Sequence, residues 1–491
     1  THLLLQVRCK LSKIISNIYS GLRRGRMQEL LRGAGIVCLY FVVLAIVVII
    51  NMIVRALPAT ITKIDCSVNK LYTLTDTTTN YLKGLDKDVE IYLLAPVGEE
   101  SESLYNMLEK YTAWSSHVSF EQIDPNVNPN FVAQYTSGLL ATNSVIVVSG
   151  DRFKIVNYSS FTTPIFDFDL KQYVTGFDGE GQITSAINYV VSDNLPKMYL
   201  LEGHNESPYS DSFAALVNKA NIVTDTLNLL TADSVPEDCD ILMINIPTVD
   251  ISPEEAQKLI NYLDKGGSLF LVSGNTGKDF ENLGLLLEYC GLEIQRGTVV
   301  ETDSKYYLSA NTGIKPARAA HKVSSSLITK GISVYLPNSQ GIAIRDDARS
   351  TLEITKLLTT SKDSYVRIGT STLLTMQEDD IPGPVMVGTI IEEYIEGNEK
   401  DTKIAVFSSP NLLNETCNTI VSGGNYELAV NTITWMGEFD DNISISPKST
   451  TMQLLTVTQA DFYKWMVILV GVVPVAFIGA GFVVWFIRRR K

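Results

Sequence analysis

The amino-acid sequence predicts an α/β protein with two globular domains, flanked by two membrane-spanning helices. Three observations lead to this prediction. Two long apolar runs without any charged residue lie near the ends of the chain, at residues 34–54 and 465–487. Between them, the first part of the chain shows the order strand, helix, strand, hairpin. The second part alternates strands with helices.

Both apolar runs are predicted to cross a membrane. At a rise of about 1.5 Å per residue, each forms a helix of about 30 Å, the thickness of the hydrocarbon core of a bilayer. No small-residue cleavage site follows the first run, so we interpret it as an uncleaved anchor. Basic residues crowd the segments 1–33 and 488–491. Because positive charge marks the cytoplasmic side, both termini are predicted to be cytoplasmic, with the large middle part extracytoplasmic.

The first extracytoplasmic domain is predicted to span residues 55–192. Val89 to Ala95 and Val118 to Ile123 are typical of strands, and Ser101 to Ser115 has one apolar helical face. Two short apolar runs flank Gly150, which indicates a hairpin. This order of elements predicts a thioredoxin-like domain that lacks the redox cysteines.

The second extracytoplasmic domain is predicted to span residues 193–440. Strands are predicted near residues 197–201, 241–246 and 269–272, with helices between them. The clearest helix begins after Ser252, where Pro253 and Glu255 complete a capping box. Alternating strands and helices predict a mainly parallel, doubly wound sheet of flavodoxin-like (amidotransferase-like) type.

Two further segments complete the predicted organisation. Residues 300–400 are less regular, with several short strands. Residues 441–464 are polar and are predicted to form a stalk that leads into the second membrane helix.

Composition excludes several classes of function. The chain has 40 basic and 54 acidic residues and a net charge of −14, which disfavours nucleic acid as a partner. It contains no phosphate-binding GxxxxGK[ST] motif, so it is not predicted to be an ATPase. No CxxC or Cys/His spacing supports a zinc or redox site, and no cofactor is predicted. Cys239 and Cys290 could form a disulfide or remain free buried thiols.

Candidate binding or interface residues lie where predicted strands end, because open parallel sheets bind ligands at the carboxyl ends of their strands. His204 lies two residues from Glu206, a spacing that suits an acid/base pair, but no second histidine, nucleophile or metal cage lies nearby in sequence. We therefore predict no catalytic and no metal-binding residues. The candidates are Glu180, Glu202, His204, Asn205, Glu206 and Asn275.

Several segments, taken in order, resemble one known family. Residues 65–75 are similar to its opening D-x-T-x-x-K-x-Y-S-L-S, and residues 179–187 to its G-E-x-x-L-T-x-A-I segment. Residues 202–206 are similar to its G-H-G-E turn, with Asn205 in place of the second glycine. Residues 252–272 and 431–435 complete the series. The family is that of GldG-like (gliding-associated), substrate-binding-like auxiliary membrane proteins of ABC transporters.

This resemblance implies an extracytoplasmic subunit that works beside a separate ABC ATPase and a separate ABC-2-type permease in the lipid bilayer. It supplies no catalytic residue, so we expect substrate handling or coupling and not bond chemistry. Two alternatives remain. One is a membrane-tethered hydrolase of amidotransferase-like fold that uses His204 and Glu206; the other is an envelope sensor or scaffold.

Overall fold

A computed structural model of the protein describes residues 39–52, 65, 67, 69–167, 172–369, 371–437, 445, 447–451 and 458–490. Two of its sheets contain most of the strands, one with four and one with ten. A first helix, α1 (Leu39–Met52), precedes both sheets and is exposed along its length. It lies within the first predicted membrane span. The remaining residues of that span are outside the described residues.

The four-stranded sheet has the order β2-β1-β3-β4. Strand β1 is parallel to β2, whereas β3 is antiparallel to both β1 and β4. The parallel pair is connected by helix α3, since parallel strands need a crossover. The elements are α2 (Asp76–Lys83), β1 (Val89–Leu94), α3 (Glu102–Trp114), β2 (Val118–Ile123), α4 (Pro129–Ala133), β3 (Ser144–Ser149) and β4 (Arg152–Val156).

A three-stranded sheet follows in the chain. After a 3-10 turn (Tyr158–Phe161) come β5 (Thr162–Asp167) and β6 (Gln172–Phe177), and then helix α5 (Gly179–Val191). Helix α5 packs its Ile183 and Ile187 into one core with Ile91 of β1 and Leu104 of α3. The third strand of the small sheet comes from the far end of the chain, where residues 448–449 pair with β6.

The ten-stranded sheet contains a parallel half in the order β8-β7-β9-β10-β21. Successive residues of its central strands point to opposite faces of the sheet and enter two separate cores. In β9, Ile241 and Met243 belong to one core, and Leu242 and Ile244 belong to the other. The first elements are β7 (Lys197–Leu201), α6 (Asp211–Lys219), β8 (Val223–Leu227), β9 (Ile241–Asn245), α7 (Pro253–Leu263), β10 (Ser268–Val272) and α8 (Glu281–Tyr289). Helix α7 begins with the predicted capping box of Ser252 and Glu255.

The other half of this sheet is antiparallel, so the prediction of a mainly parallel sheet is only partly right. No helix lies between residues 330 and 415 in the described part of that stretch, and without a crossover helix consecutive strands pair antiparallel. The remaining elements are β11 (Leu292–Gln295), β12 (Thr298–Val300), β13 (Gly313–Ile314), β14 (Ala317–Arg318), α9 (Lys322–Lys330), β15 (Leu336–Pro337), β16 (Gly341–Ile344), β17 (Leu352–Thr359), β18 (Tyr365–Arg367), β19 (Ile381–Pro382), β20 (Met386–Glu393), β21 (Thr402–Phe407), α10 (Glu415–Ile420), α11 (Gly424–Met436) and β22 (Lys448–Ser449).

The predicted stalk, residues 441–464, is not a free connector where the structure describes it. Residues 448–449 form strand β22 on the edge of β6, and Thr450 donates its backbone N–H to the carbonyl of Thr175. The last residues of the predicted stalk belong to a long helix, α12 (Gln459–Arg489), which includes one π-helical turn at Val467–Val472. Polarity alone led to the stalk prediction, because the pairing partner of β22 lies far away in sequence.

Helix α12 is long and apolar enough to cross a membrane, and it is the one described helix of which this holds. All its side chains are exposed apart from one that is half-buried. Cys239, Cys290 and Cys417 are buried free thiols, so no disulfide joins the first two. Burial raises the pKa of Cys239 to about 11 and that of Cys290 to about 12, which keeps both thiols protonated and unreactive.

Candidate functional site

Four of the predicted site residues lie in the turn after β7, at the carboxyl edge of the parallel half-sheet. In chain order the parallel strands are arranged 2-1-3-4-5, so the winding direction reverses between β7 and β9. Open α/β sheets bind ligands at such a reversal, beyond the carboxyl ends of the strands. The turn 202–206 and the segment after Asn245 therefore occupy the position where this fold class places a site.

His204 lies in this turn and is only 3% exposed. Its Nδ1 lies 3.1 Å from Glu206 Oε1, and its Nε2 lies 3.1 Å from Glu255 Oε2. The backbone N–H of His204 also donates to Glu206 Oε2 at 2.9 Å. Both ring nitrogens are thus occupied by carboxylates, which fixes the imidazole between the turn and helix α7.

Glu255 joins the site through its position in the first turn of α7. Its Oε2 accepts the backbone N–H of Ser252 at 2.8 Å and also contacts His204, while its Oε1 is buried without a hydrogen-bond partner. Burial raises the pKa of Glu255, but the bonds from Ser252 and His204 outweigh this effect and leave it lowered. The sequence identified Glu255 as a cap and missed its contact with His204.

The backbone around His204 needs unusual conformations. Gly203 has φ of 119°, Asn205 has φ of 53° and Ile246 has φ of 53°. Asparagine tolerates the left-handed region better than most residues, which explains how Asn205 stands where the resembling motif has a glycine. A β-branched residue such as Ile246 is strained there, and this strain lies at the reversal point of the sheet.

Two side-chain oxygen atoms at the same edge are buried without a hydrogen-bond partner among the described residues. They are Asn245 Oδ1, at the end of β9, and Ser273 Oγ, directly after β10. A buried polar atom without a hydrogen bond is unfavourable, so this edge has unused capacity to bind a small polar group or water. Asn245 was not singled out from the sequence, because an isolated Asn at the end of a strand is common. Ser273 belongs to the strand end Ser273-Gly274-Asn275, which the sequence did indicate as a possible nucleophile position but without a G-x-S-x-G motif.

Glu202, Asn205 and Asn275 are exposed and do not join the His204 network. Asn275 instead donates its Nδ2 to the carbonyl of Gly297 at 3.4 Å, on the neighbouring loop. The structure therefore brings together His204 and Glu206 from the predicted set, and adds Glu255. Within the described part of the chain, both ring nitrogens of His204 contact carboxylates, and no hydroxyl or thiol lies against them as a nucleophile.

Glu180, the remaining predicted residue, lies in a separate polar junction and is 4% exposed. Its Oε1 accepts the backbone N–H of Thr75 at 2.6 Å and the hydroxyls of Thr75 and Thr78 at 2.8 and 2.6 Å. Its Oε2 accepts Lys448 Nζ at 2.8 Å. Burial raises the pKa of Glu180, yet the bonds from Lys448, Thr78 and Thr75 outweigh it and lower the pKa below its usual value.

This junction fastens the segment after the first apolar run to the segment before α12. Lys448 Nζ also donates to the carbonyl of Thr73, and Asn69 Nδ2 donates to the carbonyls of Ser449 and Thr451 at 2.8 and 3.3 Å. Asp65 organises the incoming segment by accepting four hydrogen bonds from Ser67, Tyr72 and Thr73. Burial raises the pKa of Asp65, but these bonds dominate and lower it to about 2.

A second ion pair links the junction to the ten-stranded sheet. Lys219, at the end of α6, contacts both carboxylate oxygens of Asp178 at 2.7 and 2.8 Å and donates to the carbonyl of Ile445 at 3.2 Å. Burial raises the pKa of Asp178, and Lys219 only partly offsets this. The segment before α12 is thus bound to β6, α5 and α6.

A cleft of about 1730 Å³ opens beside this second ion pair. Its walls come from β4 to β6 on one side and from α6, α9 and α11 on the other. Lys154 lies on the wall, donates to Asn218 O and Asn221 Oδ1 at 3.1 and 2.6 Å, and has its pKa lowered by burial to about 8. No sequence pattern predicts this cleft, because its walls lie far apart in the chain.

Two segments of the chain match protein-family models. Residues 195–422 match the model of a family described as an ABC-type uncharacterized transport system. Residues 68–160 match DUF7088, a domain of unknown function. Residues 195–422 are thus similar to a family of ABC-type transport systems. No curated protein matches it.

Three solved structures show weak similarity. The mmIFT52 N-terminal domain matches with a TM-score of 0.37 and 14% identity, covering 51% of this chain and 100% of that one. PurLQS from Thermotoga maritima has a TM-score of 0.29 and 11% identity, covering 50% and 100%. A putative GMP synthase protein from Thermoplasma acidophilum has a TM-score of 0.28 and 10% identity, covering 50% and 97%. Likeness at this level carries no information on function.

Proposed function

We propose, on the premise that residues 195–422 are an ABC-transport auxiliary domain, that this chain is a non-catalytic extracytoplasmic subunit, similar to the GldG-like family, beside a separate permease and ATPase. Its role is to couple or handle substrate at the outer face of the permease. We infer a thioredoxin-like first domain and a flavodoxin-like second domain. The strand orders β2-β1-β3-β4 and β8-β7-β9-β10-β21 support these assignments.

The observation that carries the proposal is the junction at Glu180. The buried carboxylate of Glu180 joins the segment that follows the first apolar run, through Thr75, to the segment that precedes the second, through Lys448. A second ion pair ties the same segment to α6. Movement of the membrane helices relative to each other would therefore act directly on the wall of the cleft, as coupling to a neighbouring permease requires.

The hydrolase alternative receives less support. His204 would have to serve as acid or base, yet each of its ring nitrogens lies 3.1 Å from a carboxylate and none is directed at a hydroxyl or thiol. The position of His204 is that of a residue that fixes a turn to a helix. The sensor or scaffold alternative makes no use of the family match and becomes preferable only if the partners are not found.

Purification from native membranes tests the proposal. The tagged full-length protein, solubilised in mild detergent after crosslinking, is expected to recover an ABC ATPase and its permease together. If the expressed ATPase and permease co-purify with each other while this protein repeatedly elutes alone, the auxiliary-subunit proposal is refuted.

The proposed orientation places both termini in the cytoplasm and the two sheets outside. A single cysteine introduced at exposed Asn275 should react with a membrane-impermeant maleimide in intact cells, whereas a cysteine added after Lys491 should not. Labelling of the C-terminal cysteine alone would reverse this orientation.

A further inference from the structure

An exposed apolar loop follows strand β18. Leu373, Leu374 and Met376 are 61%, 58% and 50% exposed, although they lie within four residues of one another. Single exposed apolar residues are ordinary, but a cluster of large ones on one loop is typical of a binding surface. The cluster belongs to residues 371–380, which we call the apolar loop.

A buried ion pair holds the apolar loop in place. The Nε of Arg367 donates to both carboxylate oxygens of Asp380 at 3.1 and 2.9 Å, and the two side chains are 6% and 1% exposed. Nη1 of Arg367 donates to the loop carbonyls of Ser371 and Leu373 at 2.7 and 2.9 Å. Nη2 donates to the loop carbonyl of Thr375 at 2.9 Å and to the hydroxyl of Tyr365 at 3.0 Å. Every second carbonyl of the loop tip is therefore fixed by one side chain.

The bonds of Arg367 stabilise a loop whose apolar side chains, Leu373, Leu374 and Met376, belong to none of the described hydrophobic cores. Burying an arginine and an aspartate costs desolvation free energy, which is recovered only when all their hydrogen bonds are made. Here those bonds order a loop whose apolar side chains face outward. A loop that is ordered before binding loses less conformational entropy on binding, so the geometry is that of a preformed docking element.

The charge next to the tip favours one kind of partner. Glu378 and Asp379 follow Met376 after a single residue and are both exposed. Acidic groups beside the tip are repelled by anionic lipid headgroups and attracted by a basic protein surface. The apolar side chains themselves require a pocket that excludes water.

We propose that the apolar loop docks into an apolar, basic-rimmed pocket on the outer face of the permease. This inference rests on the proposed function and names the surface through which the complex forms. The loop leaves strand β18 beside β12, where Thr298 pairs with Arg367 and where the preceding Gly297 accepts Asn275 Nδ2. Docking at the loop therefore brings the partner next to the carboxyl edge of the parallel strands.

A triple substitution, Leu373→Ser, Leu374→Ser and Met376→Ser, tests the proposal in the full-length protein. The matched control is Val97→Ser with Leu139→Ser, whose side chains are 90% and 104% exposed on other loops. Loss of anchoring apolar contacts should lower the recovery of permease and ATPase by about tenfold or more, whereas the control should recover them as the wild type does.

Other outcomes separate the two proposals. Equal recovery by the triple variant and the control would overturn the docking inference and leave the auxiliary-subunit proposal intact. Failure of the wild type to recover either partner would instead overturn the proposed function. A photo-crosslinker placed at Leu374 should attach to the permease; attachment to phospholipid alone would assign the loop to the bilayer and reject the proposed pocket. Charge reversal by Glu378→Lys and Asp379→Lys should weaken recovery, and unchanged recovery would reject the basic rim.

Discussion

Replacing Glu180 by glutamine is the most direct perturbation of the junction between the segment after the first apolar run and the segment before α12. Glutamine preserves the shape and one acceptor oxygen for Thr75 and Thr78, but it places an amide next to the ammonium of Lys448. Glu180 and Lys448 have side chains only 4% and 17% exposed, so the lysine would remain largely buried without its carboxylate. Breaking a buried ion pair in this way costs about 3 kcal/mol at the lower end of the usual range.

A loss of about 3 kcal/mol corresponds to roughly a hundredfold increase in the population of the open junction, since each 1.4 kcal/mol is a factor of ten. Hydrogen–deuterium exchange with mass spectrometry measures this opening locally. The amides of residues 72–78 and 447–451 should exchange roughly a hundredfold faster in Glu180→Gln. The peptide containing β9, residues 241–245, is the internal reference and should not change.

A double-mutant cycle with Lys448→Met isolates the contact from the effects of each single change. The two substitutions should be less than additive, with a coupling free energy of about 1–3 kcal/mol. The lowered pKa of Glu180 sets the sign of the pH dependence: the junction is fully stabilised above the ordinary glutamate pKa of 4.5 and loses this contribution as pH falls below it. If exchange in the variant stays within about threefold of wild type at pH 7, the junction does not hold the segments together and the reasoning is refuted.

Two further predictions concern His204 and Lys154. His204→Ala should lower the free energy of unfolding by about 2–4 kcal/mol, because Glu255 stays buried and loses its contact with the imidazole. Asn275→Ala, at an exposed position, should change it by less than about 0.5 kcal/mol. A hydrolase activity that disappears in His204→Ala at an unchanged melting temperature would contradict the non-enzyme proposal. Lys154, with a pKa of about 8, should be about half deprotonated at pH 8 and so should react with trace acetic anhydride faster than the exposed, ion-paired Lys87; equal labelling of the two, measured by mass spectrometry, would show that burial does not lower the pKa of Lys154.

Local sequence was sufficient where the determinants of structure are local. The capping box of Ser252 and Glu255 predicted the start of α7 because both hydrogen bonds form within one turn. The apolar runs at β1, β2, β7 and β9 predicted strands whose observed bounds agree within a residue or two. In these elements, periodicity and turn residues alone determine which side chains become buried.

The contacts that define the sites are not local, and the sequence carries no signal for them. His204 meets Glu255 across β7 and β9, and Glu180 meets Lys448 from the opposite end of the chain. Each residue was recognisable as polar and close to a helix or strand end, but its partner was not. The antiparallel half of the large sheet was not predicted for a related reason. Several strands within residues 331–414 pair with strands that are distant in sequence, so local patterns do not indicate their partners.

The position of β21 in the large sheet has a consequence for the order in which the protein folds during synthesis. Strand β10 lies between β9 and β21, and Ser268 pairs with Lys403, so its outer edge stays open until residues 402–407 have been made. Pairing over such a sequence distance is slow, and an open apolar strand invites aggregation while it waits. Completion of the sheet is therefore one of the last events before α12 is synthesised. Fragments that end upstream of Thr402 should be insoluble, whereas those that include α11 retain every strand of the large sheet.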